Sequence, residues 1–241
     1  MHSKTNFQHF KHGFKNGIPI FLGYVAVSFT FGITAKSGGI DSWAAVLMSA
    51  LNFTSAGQFA ALDIITSGAS YMEMALTQLI INLRYSLMSS SISQRMSERM
   101  PNFHRFIISF GMTDEIFGVD SSYTETNIPP AFCYGVMASA QPGWVLGTLL
   151  GVISGSLLPP RILSALGIAL YGMFIAIIVP PARKNRVLGG IILLSMAASL
   201  VFTVVPVLRE ISSGFRIIIL TVAIASAAAW LFPVPSEEVS Q

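Results

Sequence analysis

Long apolar runs with few charges recur along nearly the whole chain, separated by prolines and glycines. Residues 191–205 form one such run, and a helix needs about 20 apolar residues to cross about 30 Å of hydrocarbon. Of the 241 residues, 53% are hydrophobic and 10% are charged, whereas soluble domains average about 25% charged residues. The sequence therefore predicts an all-α, polytopic membrane protein. A β-barrel is rejected because its strands would be short and alternating.

The breakers divide the chain into seven or eight hydrophobic segments of adequate or marginal length. These segments are residues 18–35, 43–66, 72–92, 106–119, 131–157, 162–179, 187–205 and 215–232. We predict one helical transmembrane transport domain, residues 18–232, in the bacterial cell membrane. Before it, residues 1–17 carry phenylalanines at helical spacing among basic residues. This pattern indicates either a cytoplasmic amphipathic helix on the membrane surface or a solvated tail. Residues 233–241 form a polar tail.

The basic residues conflict with a model in which every segment crosses the membrane. The basic connection after the third segment would then lie opposite both the N-terminal lysines and the basic residues after the sixth, against the positive-inside rule. The conflict disappears if segments 43–66 and 106–119 are re-entrant or pair as half-helices. Broken backbone at membrane depth is tolerated where it is buried in protein or lines a cavity. We therefore expect broken or re-entrant segments and a cytoplasmic N terminus.

Arg84 lies inside the third apolar segment. A charge at the bilayer centre costs at least ~3 kcal/mol, and such residues usually face a protein interior or a water-filled path. Gln78 and Asn82 share one helical face, whereas Arg84 lies about 200° away from Asn82. Either the polar face lines a path while Arg84 acts elsewhere, or the helix unwinds. Arg84 is then a ligand clamp or one half of a buried ion pair.

Asp114 and Glu115 lie side by side in the short apolar segment 106–119 and are candidate partners of Arg84. Burial disfavours a charged carboxylate. One acid can therefore balance Arg84 while the other takes up a proton and couples it to transport. The alternative places both acids at a helix end in water.

Small and amide residues are concentrated between positions 52 and 59. The members that we assign to a transport path are Asn52, Ser55, Gly57, Gln58 and Phe59. In one interpretation the small residues allow a neighbouring helix to approach closely. In the other, glycine loosens the helix and frees backbone groups for a ligand. Both interpretations stay open.

Other classes of protein find little support. All four histidines lie in basic connecting regions, and no HExxH or phosphate-loop motif occurs. We therefore predict no enzyme activity, no metal and no cofactor. Residues 151–155 resemble a serine-protease elbow only superficially, and helix packing explains their glycines better. The basic residues are scattered through connections, which indicates topology rather than nucleic-acid binding. Cys133 is the single cysteine and is expected to be a packing residue.

Three motifs resemble one known family: Ser-Ala-Gly-Gln-Phe at 55–59, Asn-Leu-Arg-Tyr at 82–85 and Thr-Asp-Glu-Ile-Phe at 113–117. Over about residues 13–230 the chain resembles the AzlC-type large subunits of branched-chain amino acid exporters. The family usually has histidine where this chain has Tyr85. The resemblance implies export of leucine, isoleucine, valine and related amino acids such as methionine from the cytoplasm. It also implies a separate small AzlD-like membrane subunit.

Chemistry and resemblance together predict how a zwitterion with an apolar tail binds. Arg84, assisted by Asn82 and Gln58, holds the carboxylate, and Asp114 or Glu115 meets the ammonium group or carries the coupling proton. Phe59 and Phe117 supply apolar contact. Proton-coupled secondary export is the favoured interpretation. The alternatives are a passive channel or structural subunit and, as a third class, an intramembrane enzyme.

Overall fold

The computed structural model describes residues 5–125, 127–155, 175, 179, 182–183 and 185–233, and within these residues every regular element is a helix. The helices are α1 (Asn6–Ser37), α2 (Ser42–Leu51), α3 (Ser55–Thr66), α4 (Tyr71–Gln94), α5 (Asn102–Phe110), α6 (Asp114–Ser121), α7 (Pro130–Ser154), α8 (Arg186–Val204), α9 (Pro206–Arg209) and α10 (Ser213–Leu231). The prediction of an all-α fold is confirmed.

Four of these helices, α1, α7, α8 and α10, are long and apolar enough to cross a membrane. Helix α4 has 24 residues, which corresponds to about 36 Å and is also sufficient to cross. The predicted segments 43–66 and 106–119 are each divided into two helices. Of the predicted segment 162–179, all residues except 175 and 179 lie outside the described residues. The chain is a multi-pass membrane protein.

The N-terminal segment differs from its prediction, because no helix boundary falls near residue 17. Helix α1 runs without interruption from Asn6 to Ser37, through Pro19, and begins at a capping box formed by Thr5 and Gln8. His9, Gly13 and Gly17 are buried, so one face of this segment packs on protein, whereas Phe7 and Phe14 are exposed. The phenylalanine spacing did not indicate the protein-facing side of this segment, because that side is formed largely by glycines.

The chain divides into two compact units. The first comprises Met1–Phe59 and Ile81–Gly167, and the second comprises Ala60–Ile80 and Ile168–Gln241. In the first unit, α7 packs along α1 and also contacts α2, α5 and α6. In the second unit, α8 packs against α9 and α10. Whether both units form the single transport domain expected from the sequence stays a prediction.

Glycines bring α1 and α7 into close contact. A Cβ added to Gly13 would lie 2.0 Å from the carbonyl oxygen of Phe132, and one added to Gly32 would lie 2.3 Å from that of Thr148. Residue numbers therefore rise together along the interface, and the two helices are parallel. Small residues permit such backbone approach in membrane helices. A Cβ added to Gly151 would lie 2.2 Å from the carbonyl oxygen of Phe29. This close contact confirms that helix packing explains glycine in the 151–155 segment.

Adding one methyl group at this interface should destabilise the protein. In Gly32→Ala the new Cβ meets backbone on α7, which cannot move without separating the helices. We expect a fall of about 5 °C or more in the detergent melting temperature, from an overpacking cost of about 1–3 kcal/mol. Gly23→Ala is the matched control, since nothing lies within 4 Å of its added Cβ. Equal melting temperatures for the two variants would contradict this packing.

Helices α5 and α6 form a hairpin that enters and leaves at the N-terminal end of α7. His104, near the start of α5, hydrogen-bonds to the hydroxyl of Tyr134 at 2.7 Å. At the turn, Gly111 lies against the side chain of Gln141, farther along α7. After α6 the chain has returned, because the rings of Tyr123 and Phe132 have centroids 4.7 Å apart. The hairpin therefore begins and ends near the same end of α7.

Helix α2 runs along α7 from the C-terminal end of α7, opposite the end at which the α5–α6 hairpin begins. Trp43, near its start, shares a groove with Ile153, and Ser49 hydrogen-bonds to Thr148 at 2.7 Å. The helix ends at Leu51, and α3 begins at Ser55 after a three-residue break. The predicted segment 43–66 is therefore discontinuous.

Candidate functional site

At each helix break, a threonine caps the helix that follows. In the first break, Asn52 Oδ1 accepts a hydrogen bond from the backbone N–H of Thr54 at 3.0 Å, and Thr54 Oγ1 accepts one from Gly57 N–H at 3.1 Å. In the second break, Thr113 Oγ1 accepts from Ile116 N–H at 3.3 Å. A side-chain oxygen before a helix satisfies one of its free N–H groups. Each break therefore ends one half-helix and starts another.

The two breaks meet. Phe53, from the break before α3, packs edge-to-face on Phe110 at the end of α5, with ring centroids 5.9 Å apart. Such aromatic pairs contribute about 0.5–1.5 kcal/mol beyond the area that they bury. The first unit thus has two discontinuous segments, entering from opposite ends of α7, whose tips touch.

Arg84 and Asp114 form an ion pair beside the second break. Arg84 Nη1 lies 2.7 Å from Asp114 Oδ2. The other terminal nitrogen, Nη2, donates to the Tyr85 hydroxyl at 3.1 Å, and the guanidinium carbon lies 4.8 Å from the Tyr85 ring centroid. Side-chain exposures of 40% and 27% leave both charges partly accessible.

Helix α4 stays regular around Arg84, which decides between the two arrangements left open by the sequence. The helix does not unwind, so Arg84 and Asn82 point to different sides. Asn82 is half-buried. The structure places the Arg84 guanidinium on the side of α6, where it pairs with Asp114.

Glu115 has a different partner from Asp114. The Tyr24 hydroxyl donates to Glu115 Oε2 at 3.0 Å and also contacts Thr113 Oγ1. Since Tyr24 donates to Glu115, Thr113 must donate to Tyr24. Both acids occupy the first turn of α6, where the partial positive charge of the helix N terminus stabilises carboxylates. The two adjacent acids are thus held by separate groups on α4 and α1.

Gln58 belongs to a buried ring of hydrogen bonds. Trp144 Nε1–H donates to Gln58 Oε1, and Gln58 Nε2 donates to Ser49 Oγ, both at 2.7 Å. Ser49 then donates to Thr148 Oγ1 at 2.7 Å, and Thr148 donates to the carbonyl oxygen of Trp144 at 3.1 Å. Each donor has an acceptor in this ring, and Gln58 is fully buried. The amide of Gln58 thus fixes the first break to α7, and its role in assisting Arg84 stays a prediction.

The remaining predicted residues are spread over several places. Phe59 packs edge-to-face on Phe31, with centroids 5.4 Å apart. Ser55 and Phe117 are half-buried at the starts of α3 and α6. Gln78 belongs to the second unit, where its amide nitrogen lies 4.0 Å from Met74 Sδ. The structure brings Arg84, Asp114 and Glu115 to one place, and their substrate and proton roles stay predictions.

Sequence reasoning missed Tyr24 and did not assign a role to Trp144. Both aromatic side chains have polar groups, they pack edge-to-face at a centroid distance of 5.4 Å, and both are buried. A signal existed, because tyrosine and tryptophan in membrane helices favour the interfaces. Their positions near the middle of long apolar helices therefore indicated buried hydrogen-bond partners.

Two further features concern ligands. Among the residues that the structure describes, no three His, Cys, Asp or Glu side chains are grouped as metal ligands would be. The groove between α2 and α7 has a volume of about 500 Å³ and a lining of mainly apolar side chains, including Trp43, Leu47 and Leu149. Its chemistry suits hydrocarbon and not a zwitterion.

The fold and the site define a class: a multi-pass helical membrane protein with two discontinuous segments and an ion pair beside one of the breaks. Transporters place their binding sites at such discontinuous helices. A family model described as AzlC protein matches residues 19–158. The chain belongs to the AzlC family.

Three relatives extend this comparison. An uncharacterized membrane protein of Archaeoglobus fulgidus is 32% identical over 78% of this chain and 82% of its own length. The inner membrane protein YgaZ of Escherichia coli is 28% identical over 73% of this chain and 75% of its own length. The branched-chain amino acid transport protein AzlC of Bacillus subtilis is 25% identical over 73% of this chain and 69% of its own length. No solved structure matches.

Proposed function

We propose that this chain is the large subunit of a secondary transporter that exports branched-chain and related apolar amino acids. The observation that supports this most strongly is the Arg84–Asp114 ion pair, 2.7 Å long and partly accessible beside the meeting helix breaks. The Bacillus subtilis relative, whose name refers to branched-chain amino acid transport, supports the substrate class.

The ion pair has the charges that an amino acid needs. A zwitterion that enters between the two side chains offers its carboxylate to Arg84 and its ammonium group to Asp114. Each protein charge exchanges one partner of opposite sign for another, so neither is left unpaired at membrane depth, where an unpaired charge is costly. A singly charged solute would leave one protein charge without a partner. The site therefore favours zwitterions.

The surroundings favour an apolar side chain on the substrate. Phe53 and Phe110 meet at the breaks, and Phe117 follows the acids on α6 by less than one turn. Binding sites for small molecules combine such apolar walls with a few convergent polar groups. Leucine, isoleucine and valine satisfy both requirements, whereas the walls offer nothing to a polar substrate side chain.

Coupling, direction and partner complete the proposal. A proton taken up by Asp114 or Glu115 would weaken one of the carboxylate contacts and change the affinity for substrate. The outward direction is what the resemblance to branched-chain amino acid exporters implies, and the distribution of basic residues indicates a cytoplasmic N terminus. Labelling of a cysteine at position 99 from outside intact cells would contradict that orientation. A small AzlD-like membrane subunit is the expected partner.

Proteoliposomes that contain this chain, with and without the small subunit, test the function. We expect radiolabelled leucine to accumulate against its gradient when a pH difference is imposed, and unlabelled isoleucine or valine to compete. A collapse of accumulation with an uncoupler confirms coupling. Purely downhill flux, unaffected by the pH difference, would indicate a passive channel instead. No leucine flux in either preparation would refute the proposed substrate.

A further inference from the structure

Asp120 is a buried acid that the proposed substrate site does not use. It lies near the end of α6, six residues after Asp114, and its side chain is fully buried. Within the described residues, no N–H, O–H or cationic group donates to either carboxylate oxygen. The group that faces it is the thiol of Cys133, itself fully buried. A thiol is a weak donor.

The neighbouring charged and titratable groups are committed elsewhere. Helix α6 packs against α7 and α1. From α7, Cys133 faces Asp120. From α1, Tyr24 donates to Glu115, and His9 Nδ1 hydrogen-bonds to the Tyr123 hydroxyl at 3.0 Å. On α6 itself, Asp114 is paired with Arg84.

The end of α6 is also held without using Asp120. Arg95 donates to the backbone carbonyl oxygens of Ser121 and Tyr123, each at 2.6 Å, and of Glu125 at 3.2 Å. The Arg95 guanidinium therefore donates to backbone carbonyl oxygens at this end of α6. An ionised carboxylate without a cation or strong donors is disfavoured in such surroundings.

We propose that Asp120, in place of Asp114 or Glu115, binds the coupling proton: it is protonated in this conformation and releases the proton when α6 moves during transport. This inference rests on the proposed function. The contrast with the two acids at the start of α6 supports it. Asp114 and Glu115 have partners that favour the charged form, whereas Asp120 has surroundings that favour the neutral form. One half-helix thus holds both the substrate-facing acids and the proton, so its movement would change both together.

The proposal predicts that Asp120→Asn keeps leucine exchange but loses leucine accumulation driven by a pH difference. Asparagine resembles the protonated acid in shape but cannot release a proton. In proteoliposomes of the full chain, leucine exchange at equal pH should stay within about twofold of wild type, while accumulation driven by a pH difference should fall about tenfold or more. Asp41→Asn, the same change at an exposed acid, should alter neither. Normal pH-driven accumulation in Asp120→Asn would overturn the proposal.

A second measurement uses only the wild-type protein and so does not depend on folding of the variant. Dicyclohexylcarbodiimide is an apolar reagent that modifies protonated carboxyl groups. At pH 7 we expect mass spectrometry to locate the adduct on Asp120, with modification decreasing as the pH rises. An unmodified Asp120 at pH 7 would overturn the proposal. Absence of leucine exchange by wild type would instead refute the proposed function, and the labelling result would still decide whether Asp120 holds a proton.

Discussion

Replacing Arg84 with lysine should reduce leucine exchange about tenfold to a hundredfold, although the positive charge is retained. The guanidinium uses two nitrogens in different directions, Nη1 toward Asp114 and Nη2 toward the Tyr85 hydroxyl. Lysine is a single point charge on a flexible stem and cannot make both contacts in a fixed plane. Hydrogen bonds to charged groups are worth about 1.5–3 kcal/mol, which gives the expected range.

The measurement is leucine counterflow in proteoliposomes at equal pH on both sides, with protein amounts matched after size-exclusion chromatography. Arg99→Lys is the control, because Arg99 is exposed in the connection after α4 and the same substitution there should leave exchange unchanged. Exchange above half of the wild-type rate in Arg84→Lys would rule out planar carboxylate binding by this residue. Arg84→Met, which also loses the charge, should reduce exchange to the background of empty liposomes.

The helical class and the discontinuity of two segments were predictable from local signals. Apolar length fixes helices that can cross a bilayer, and the conflict with the positive-inside rule pointed to the two segments that the structure divides into two helices each. The break in 106–119 even has a local signature, since Gly111 ends α5 and Thr113 caps α6. These signals depend only on neighbouring residues, which explains why the sequence was sufficient.

The contacts of single site residues were less predictable because they depend on helices distant in sequence. Gln58 looks like a ligand for a polar substrate until Trp144, 86 positions away, is found to donate to it. Tyr24 lies in an uninterrupted apolar run, and its role depends on the return of α6 to α1. Continuity of α1 through residue 17 likewise depends on glycine contacts with α7. Helical periodicity describes one helix at a time and contains no information about such pairs.

Exchanging the charges of Arg84 and Asp114 should separate the structural contribution of the ion pair from its role in transport. Either single reversal, Arg84→Asp or Asp114→Arg, replaces the attraction in this 2.7 Å ion pair with repulsion between like charges. Breaking a fully buried pair costs about 3–5 kcal/mol. Because this pair is partly exposed, we expect a smaller loss, visible as a lower yield of monodisperse protein.

The double reversal restores an ion pair and should therefore recover much of that yield. Transport should stay at background, because the guanidinium then stands at the start of α6 beside Glu115, which would bind it in place of substrate, and Tyr85 no longer orients it. The four proteins form a double-mutant cycle. We expect the cycle to show coupling between the two positions in protein yield, but no recovery of transport in the double reversal. If the doubly reversed protein exchanged leucine at the wild-type rate, the pair would be a packing contact with no directional preference for a substrate carboxylate.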